Sequence, residues 1–219
     1  MQSQQHVEQD PMVLQEHVED GILRLTLNDI PRRNALSDAM MIHLHEVLDQ
    51  AATDDSVRVI ILAANGPAFC AGHDLKEVTA ARKAPDRGRA FFTEMMTRCS
   101  GVMQAIVNNP TPVIGEVAGM ATAAGCQLVA SCDLAYASHS ARFATPGVNI
   151  GLFCSTPMVA LSRNVENKFA MEMLLTGEPA NAENAAQIGL VNRAVSDDEL
   201  SEYTLGIARK IASKSRMTL

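Results

Sequence analysis

Two glycine-bearing turns hold the residues of this 219-residue chain best suited to chemistry. One is PAFCAGHDLKE at 67–77 and the other is GMATAAGCQLV at 119–129. Each follows a strand-like run and leads into a helical one. Small residues there let the main chain approach a ligand closely, and N–H groups at a helix start point toward developing negative charge. Two such turns meeting at one sheet edge would form an oxyanion hole for an enolate or a tetrahedral intermediate. The same glycines would also serve packing alone. Neither turn has the lysine-bearing pattern of a nucleotide phosphate loop.

Other reactive residue types form weaker patterns. The five cysteines (Cys70, Cys99, Cys126, Cys132, Cys154) include no CxxC pair, and four sit among apolar or small residues, as reduced buried thiols do. His43 and His45 lie two apart on a helical stretch, so they do not share a face and no metal site is expected. Net charge is -7 with a pI near 5.3, which argues against a broad nucleic-acid face. Arg32 and Arg33 still form a local cationic pair, which suits a phosphorylated ligand or, as adjacent arginines on a surface loop more often do, simply stands in solvent. No apolar run is long enough for a membrane span. The polar start MQSQQHVEQDP lacks a signal core and transit-peptide arginines, so a cytoplasmic location is expected.

These residues need elements to position them. Hydrophobic residues at 47% and charged residues at 20% fit one globular domain with a substantial core. GILRLTLND (21–29) places Leu23, Leu25 and Leu27 on one side of a strand. Ser37 can cap a helix in which Met41, Leu44, Leu48 and Ala51 recur at helical spacing. VRVIILAANG (57–66) reads as a strand buried on both faces. A helix from about Asp86 to Val107 turns Phe92, Met95, Cys99, Met103 and Ile106 inward, with Pro110 beyond its end. TPVIGEVAG is a further strand, AAGCQLVAS a short helix and CDLAYAS another strand. Thr156, with Pro157 at the first helical position, opens a helix. Gly177 and Gly189 serve as C-terminal caps. Alternating β and α elements with buried strands predict an α/β core whose sheet is covered by helices.

Several motifs in order resemble the enoyl-CoA hydratase/isomerase (crotonase) family: RRNALS (32–37), VRVIILAANGPAFCAGHDLKE (57–77), PVIGEVAGMATAAGCQLVASCDLAYAS (112–138), FATPGVNIGL (143–152) and EMLLTGEPANAENAAQIGLVNRAV (172–195). The resemblance implies a β/β/α spiral core over 20–195 after a polar segment at 1–19. A shortened C-terminal helical region begins at 196. It implies a homotrimer or a dimer of trimers, with no nucleic-acid or membrane partner. It implies acyl-CoA thioester substrates and no permanently bound cofactor, coenzyme A entering as part of the substrate.

Carried over by position, the thioester oxygen meets the backbone N–H groups of His73 and Ala124. Arg33, Ala35, Ala71, His73, Asp74 and Leu75 would line the coenzyme A path, with Arg33 contacting phosphate. Asp74 and Asp133 resemble framework residues. Hydratases of this family use two glutamates, and this chain has Gln127 and Gly147 at those positions. Gln exchanges no proton near neutral pH and Gly has no side chain. Family isomerases sometimes carry a carboxylate in the loop matching GLFCSTP, where this chain has Cys154, Ser155 and Thr156.

Thr122 and Thr145 are the other reactive side chains nearby. Ser155 or Thr156 could equally cap the following helix, and Gln127 could hold a water or substrate oxygen or satisfy buried backbone. Three functions follow: a CoA-thioester enzyme of the hydratase/isomerase type, a non-catalytic acyl-CoA-binding protein on the same fold, and, most weakly, a CoA-thioester hydrolase.

Overall fold

Residues 11–218, described here in a computed structural model, form two sheets and eight helices. In chain order the elements are β1 (Val13–Glu19), β2 (Ile22–Leu27), α1 (Asp38–Thr53), β3 (Val59–Ala64), β4 (Ala68–Cys70), α2 (Leu75–Ala81) and α3 (Arg89–Val107). Then come β5 (Val113–Val117), β6 (Met120–Thr122), α4 (Ala124–Ser131), β7 (Leu134–Ser138), β8 (Arg142–Ala144) and α5 (Ser155–Asn164). The chain continues through α6 (Asn167–Thr176), β9 (Ala180–Asn181), α7 (Ala182–Gln187), β10 (Arg193–Val195) and α8 (Leu200–Ala212). The large sheet has the order β1-β2-β3-β5-β7-β10 and the small one β4-β6-β8-β9.

The period of two along β2 and β3 divides the interior in two. Leu23, Leu25, Ile60 and Leu62 enter the main core with α1 and α3, whereas Ile22, Val59 and Ile61 enter a second cluster with Leu200 and Ala208 of α8. A strand with cores on both sides must be apolar throughout, which is why VIILAA lacks polar alternation. Under α8, Arg24 and Glu116 form a two-pronged ion pair (Nη1–Oε1 2.6 Å, Nη2–Oε2 3.0 Å), and Arg24 also donates to Ser201 Oγ.

Three times the chain passes from a large-sheet strand to a short small-sheet strand and then to a helix: β3-β4-α2, β5-β6-α4 and β7-β8-α5. This is the β/β/α repeat expected of a spiral core. Because β4, β6 and β8 are parallel neighbours, the three segments after them emerge side by side.

Ser37 caps α1, its side chain accepting from Met40 N at 3.2 Å. Gly177 and Gly189 both hold left-handed conformations just past helices. Asp133 acts as a framework residue, accepting from Val113 N at 2.8 Å. Two expectations change. Residues 13–19, read as part of a polar leading segment, form β1, an antiparallel edge strand on β2. The rest of that segment, 1–10, lies outside the described residues. The region after 196 is helical as expected, and α8 packs onto the large sheet. α5 begins at Ser155 with Cys154 at the N-cap, and no side-chain cap bond forms there. Pro157 is therefore the third helical residue and Thr156 the second.

Candidate active site

The ends of β4, β6 and β8 bring the two glycine turns into contact. Thr122 pairs with Ala144 across β6 and β8, and Ala123 N donates to Ala144 O at 2.8 Å. Gly72, with φ 80°, packs so closely that a β-carbon on it would lie 3.0 Å from Ala123 Cβ, 3.0 Å from Thr122 O and 3.4 Å from Ala124 N. His73 and Ala124 thus occupy corresponding places in successive repeats, one after β4 and one after β6. Among the described residues neither of their N–H groups donates a hydrogen bond within the protein.

The turn before α4 is strained. Ala123 holds φ 52° and ψ −119°, a conformation that costs a non-glycine residue about 1–3 kcal/mol and is found where surroundings over-determine it. Those surroundings are tight. All eight residues of α4 are buried, and a β-carbon on Gly125 would lie 2.2 Å from Cys70 O. Only glycine lets the helix start rest on β4.

Residues 29–36 run beside the first turn. Ala71 N donates to Arg33 O at 3.1 Å and Leu36 N to Gly72 O at 2.8 Å. Arg33 and Asn34 are both left-handed. The fully buried Asn34 holds the bend, its Nδ2 donating to Asn65 O and Ala68 O and its Oδ1 accepting from Asp29 N. Residues proposed for a coenzyme A path are therefore gathered on one strip, with different exposures. Arg33 and Leu75 face outward, and Ala71 and His73 are partly buried. Ala35 is buried, at 6% exposed. Asp74 spends its carboxylate capping α2 at Lys76 N, 2.7 Å.

Gln127 and Gly147, expected at the positions of the family's two glutamates, differ in what they could do. Gln127, 7% exposed, lies one turn along α4 from Ala124, and its Oε1 is buried without a partner. It lines a groove of about 440 Å³ between α3, α4 and α5, shared with Cys99, Met103, Ser131, Thr156 and Arg163. Thr156, considered as a cap, faces this groove instead. Gly147 has no space for any side chain, because a β-carbon there would meet Leu152 O at 2.7 Å and Cys154 Sγ at 2.8 Å. Thr145, fully buried between Ala144 and that turn, has its Oγ1 unpartnered.

Burial removes ionisation from most reactive groups. It pushes the Cys70 and Cys126 thiols up to about 12 and that of Cys99 up to about 11. Burial also holds the His73 imidazole below its ordinary value of 6.5, so the ring is neutral at pH 7. Its Nε2 has no partner. Among the described residues no cluster of three or more His, Cys, Asp or Glu side chains could hold a metal ion, and no helix is long and apolar enough to cross a membrane.

Sequence reasoning missed the strain at Ala123 and the part Asn34 plays in holding the bend. Asparagine tolerates the left-handed region, which was a usable signal; alanine offers none.

Comparison with known proteins agrees with this architecture. The family described as enoyl-CoA hydratase/isomerase matches residues 17–219. The enoyl-CoA hydratase domain-containing protein 3, mitochondrial, of Rattus norvegicus is 50% identical over 209 residues, covering 95% of this chain and 68% of the rat protein. A solved enoyl-CoA hydratase from Mycobacterium smegmatis superposes with a TM-score of 0.89 at 52% identity, covering 94% of this chain and 79% of that one. The human enoyl coenzyme A hydratase domain-containing protein 3 gives 0.87 at 50% identity, over 94% of this chain and 79% of that one. The rat relative is named as mitochondrial, in contrast to the cytoplasmic location expected here. With its two sheets, its threefold β/β/α repeat and these matches, the chain has the crotonase fold and belongs to the enoyl-CoA hydratase/isomerase family.

Proposed function

We propose that this protein binds acyl-CoA thioesters, holds the thioester oxygen between the N–H groups of His73 and Ala124, and stabilises an enolate or tetrahedral oxyanion there. The observation that supports this reading is the close approach of Gly72 to Ala123 and Ala124, together with the absence of any donation by the His73 and Ala124 N–H groups among the described residues. A donor aimed at a developing oxyanion contributes about 2.7–4 kcal/mol in other enzymes. The fixed main chain of α4 and the strained Ala123 supply that pre-organisation.

Proton transfer is where this site departs from ordinary hydration of a trans-2-enoyl thioester. Gln127 can orient a water or a substrate oxygen through its amide, but it cannot carry a proton. Gly147 is closed over by Leu152 and Cys154. Losing a positioned acid/base costs on the order of 10²–10⁴ in rate. The reading is therefore of a thioester enzyme with a backbone polarising half and no carboxylate shuttle at Gln127 and Gly147.

A second reading, acyl-CoA binding without turnover, is favoured by that same filled space at Gly147. Hydrolysis of the thioester is the weakest reading, because among the described residues no Ser–His hydrogen bond accompanies the site. The exposed apolar side chains Phe169, Met171 and Leu175 on α6 support the expected trimeric assembly.

The test is incubation with short- and medium-chain trans-2-enoyl-CoA beside calorimetric titration with the saturated thioester. Saturable binding with hydration no faster than buffer matches the proposal. Rapid formation of 3-hydroxyacyl-CoA would show that a proton shuttle exists outside Gln127 and Gly147. Absence of binding would end the thioester reading.

A further inference from the structure

We propose that the groove between α3, α4 and α5 takes the acyl part of the bound thioester and selects acyl groups that end in a carboxylate, which pairs with Arg163. This rests on the thioester-binding reading above and names the substrate class of that site.

The groove begins beside the proposed oxyanion donors. Gln127 lines it and lies one turn along α4 from Ala124. This residue is 7% exposed, and its Oε1 has no hydrogen-bond partner. Burying such a group is costly unless something else satisfies it, which marks this end of the groove as a place for a ligand.

From there the groove follows the helices. Thr156 in the first turn of α5 and Arg163 in its last turn both line it, and the seven residues between them span about 10 Å of helix. Two contacts fix α3 and α5 against the far half of α4. Ser131 Oγ reaches Met103 Sδ at 3.6 Å, and Asn164 Nδ2 donates to Ala130 O at 2.8 Å. Between the ends the wall carries apolar side chains, among them Met103, Ala130, Val159 and Ala160. The volume of about 440 Å³ falls in the range of small-molecule sites.

Charge decides which acyl chain fits. Arg163 is exposed, and among the described residues it forms no ion pair and donates no side-chain hydrogen bond. The groove's one carboxylate, Asp133, accepts from Val113 N at 2.8 Å and forms no ion pair with Arg163. A guanidinium with its fork free pairs a carboxylate through two parallel hydrogen bonds. A plain alkyl end would instead lay methylene groups against that charge and strip its water at a cost. A chain that is apolar along its length and anionic at its tip matches both the wall and the far end.

The experiment titrates the full chain with octanoyl-CoA and with suberoyl-CoA, its eight-carbon counterpart ending in a carboxylate, by calorimetry at low and high salt. The unaltered protein should bind suberoyl-CoA roughly threefold or more tightly, the size of a partly solvated ion pair. Added salt should shrink that preference. In Arg163→Gln the ratio of the two affinities should fall to about one, and Arg163→Lys should keep part of it. Equal or weaker binding of suberoyl-CoA by the unaltered protein overturns the carboxylate proposal and leaves the thioester reading standing. A preference that survives in Arg163→Gln overturns it too, since Arg163 is then not the partner. Binding of neither thioester overturns both readings. The comparison on the unaltered protein does not depend on any variant folding.

Discussion

The Cys154 thiol takes the space that a side chain at Gly147 would need: a β-carbon there would lie 2.8 Å from Sγ and 2.7 Å from Leu152 O. Glycine at 147 and cysteine at 154 are thus one packing solution, and the missing carboxylate cannot be restored by a single change. Gly147→Glu should lose about 1–3 kcal/mol through overpacking and gain no hydration activity. Urea unfolding and an enoyl-CoA absorbance assay check the two halves.

Gln127 is the position where a carboxylate does fit, since the amide already lies in a groove. Gln127→Glu should raise trans-2-enoyl-CoA hydration by roughly 10², the lower range for one positioned acid/base. The gain should follow the ionisation of the new carboxyl in a pH–rate profile. An unchanged rate would show that the second position limits the chemistry.

Gly125 holds the start of α4 against β4. A β-carbon would stand 2.2 Å from Cys70 O and 2.8 Å from Cys70 C, both backbone atoms that cannot swing away. Gly125→Ala should move the Ala124 amide from the site, weakening acyl-CoA binding roughly tenfold or more, as small misplacements in pre-organised sites do. Calorimetry on folded variant, checked by circular dichroism, measures it.

His73 carries a pH dependence. Its buried ring titrates below 6.5 in the folded chain, whereas the unfolded chain takes up a proton near that value. The unfolded state therefore binds more protons as pH falls through 6.5, and stability that is full above this value declines toward the folded value. Urea midpoints at about pH 7.5 and about pH 5.5 should differ less in His73→Phe than in the unaltered protein.

Arg24 and Glu116 form the buried ion pair beneath α8, with side chains 14% and 10% exposed. Glu116→Ala leaves the guanidinium with Ser201 as its remaining side-chain partner. A loss of about 3 kcal/mol is expected, since breaking a buried pair strands a charge. Thermal unfolding reports it.

What could be read in the sequence depended on length and residue type. α1 was legible because Ser37 and the spacing of Met41, Leu44, Leu48 and Ala51 agree. β3 was legible because a strand with a core on each side is apolar throughout. The small sheet was not, since Ala68–Cys70, Met120–Thr122 and Arg142–Ala144 are three residues each and show no period. β1 was hidden by its edge position, where VLQEHVE keeps Val13 alone buried. At the site, the glycine turns and Gln127 were visible as residue types. The strain at Ala123 and the filling of position 147 by Cys154 are products of packing between segments far apart in the chain.

The central claim is that the His73 and Ala124 N–H groups hold the thioester oxygen, and the carbonyl stretch of a bound thioester tests it most directly. Infrared difference spectra would be recorded with octanoyl-CoA carrying a ¹³C-labelled carbonyl, at saturation confirmed by calorimetry. Two hydrogen bonds to the oxygen weaken the C=O bond, so the account predicts a band shifted clearly to lower frequency on binding, with the shift reduced in Gly125→Ala. A saturated complex whose carbonyl band stays at its position in water would contradict it.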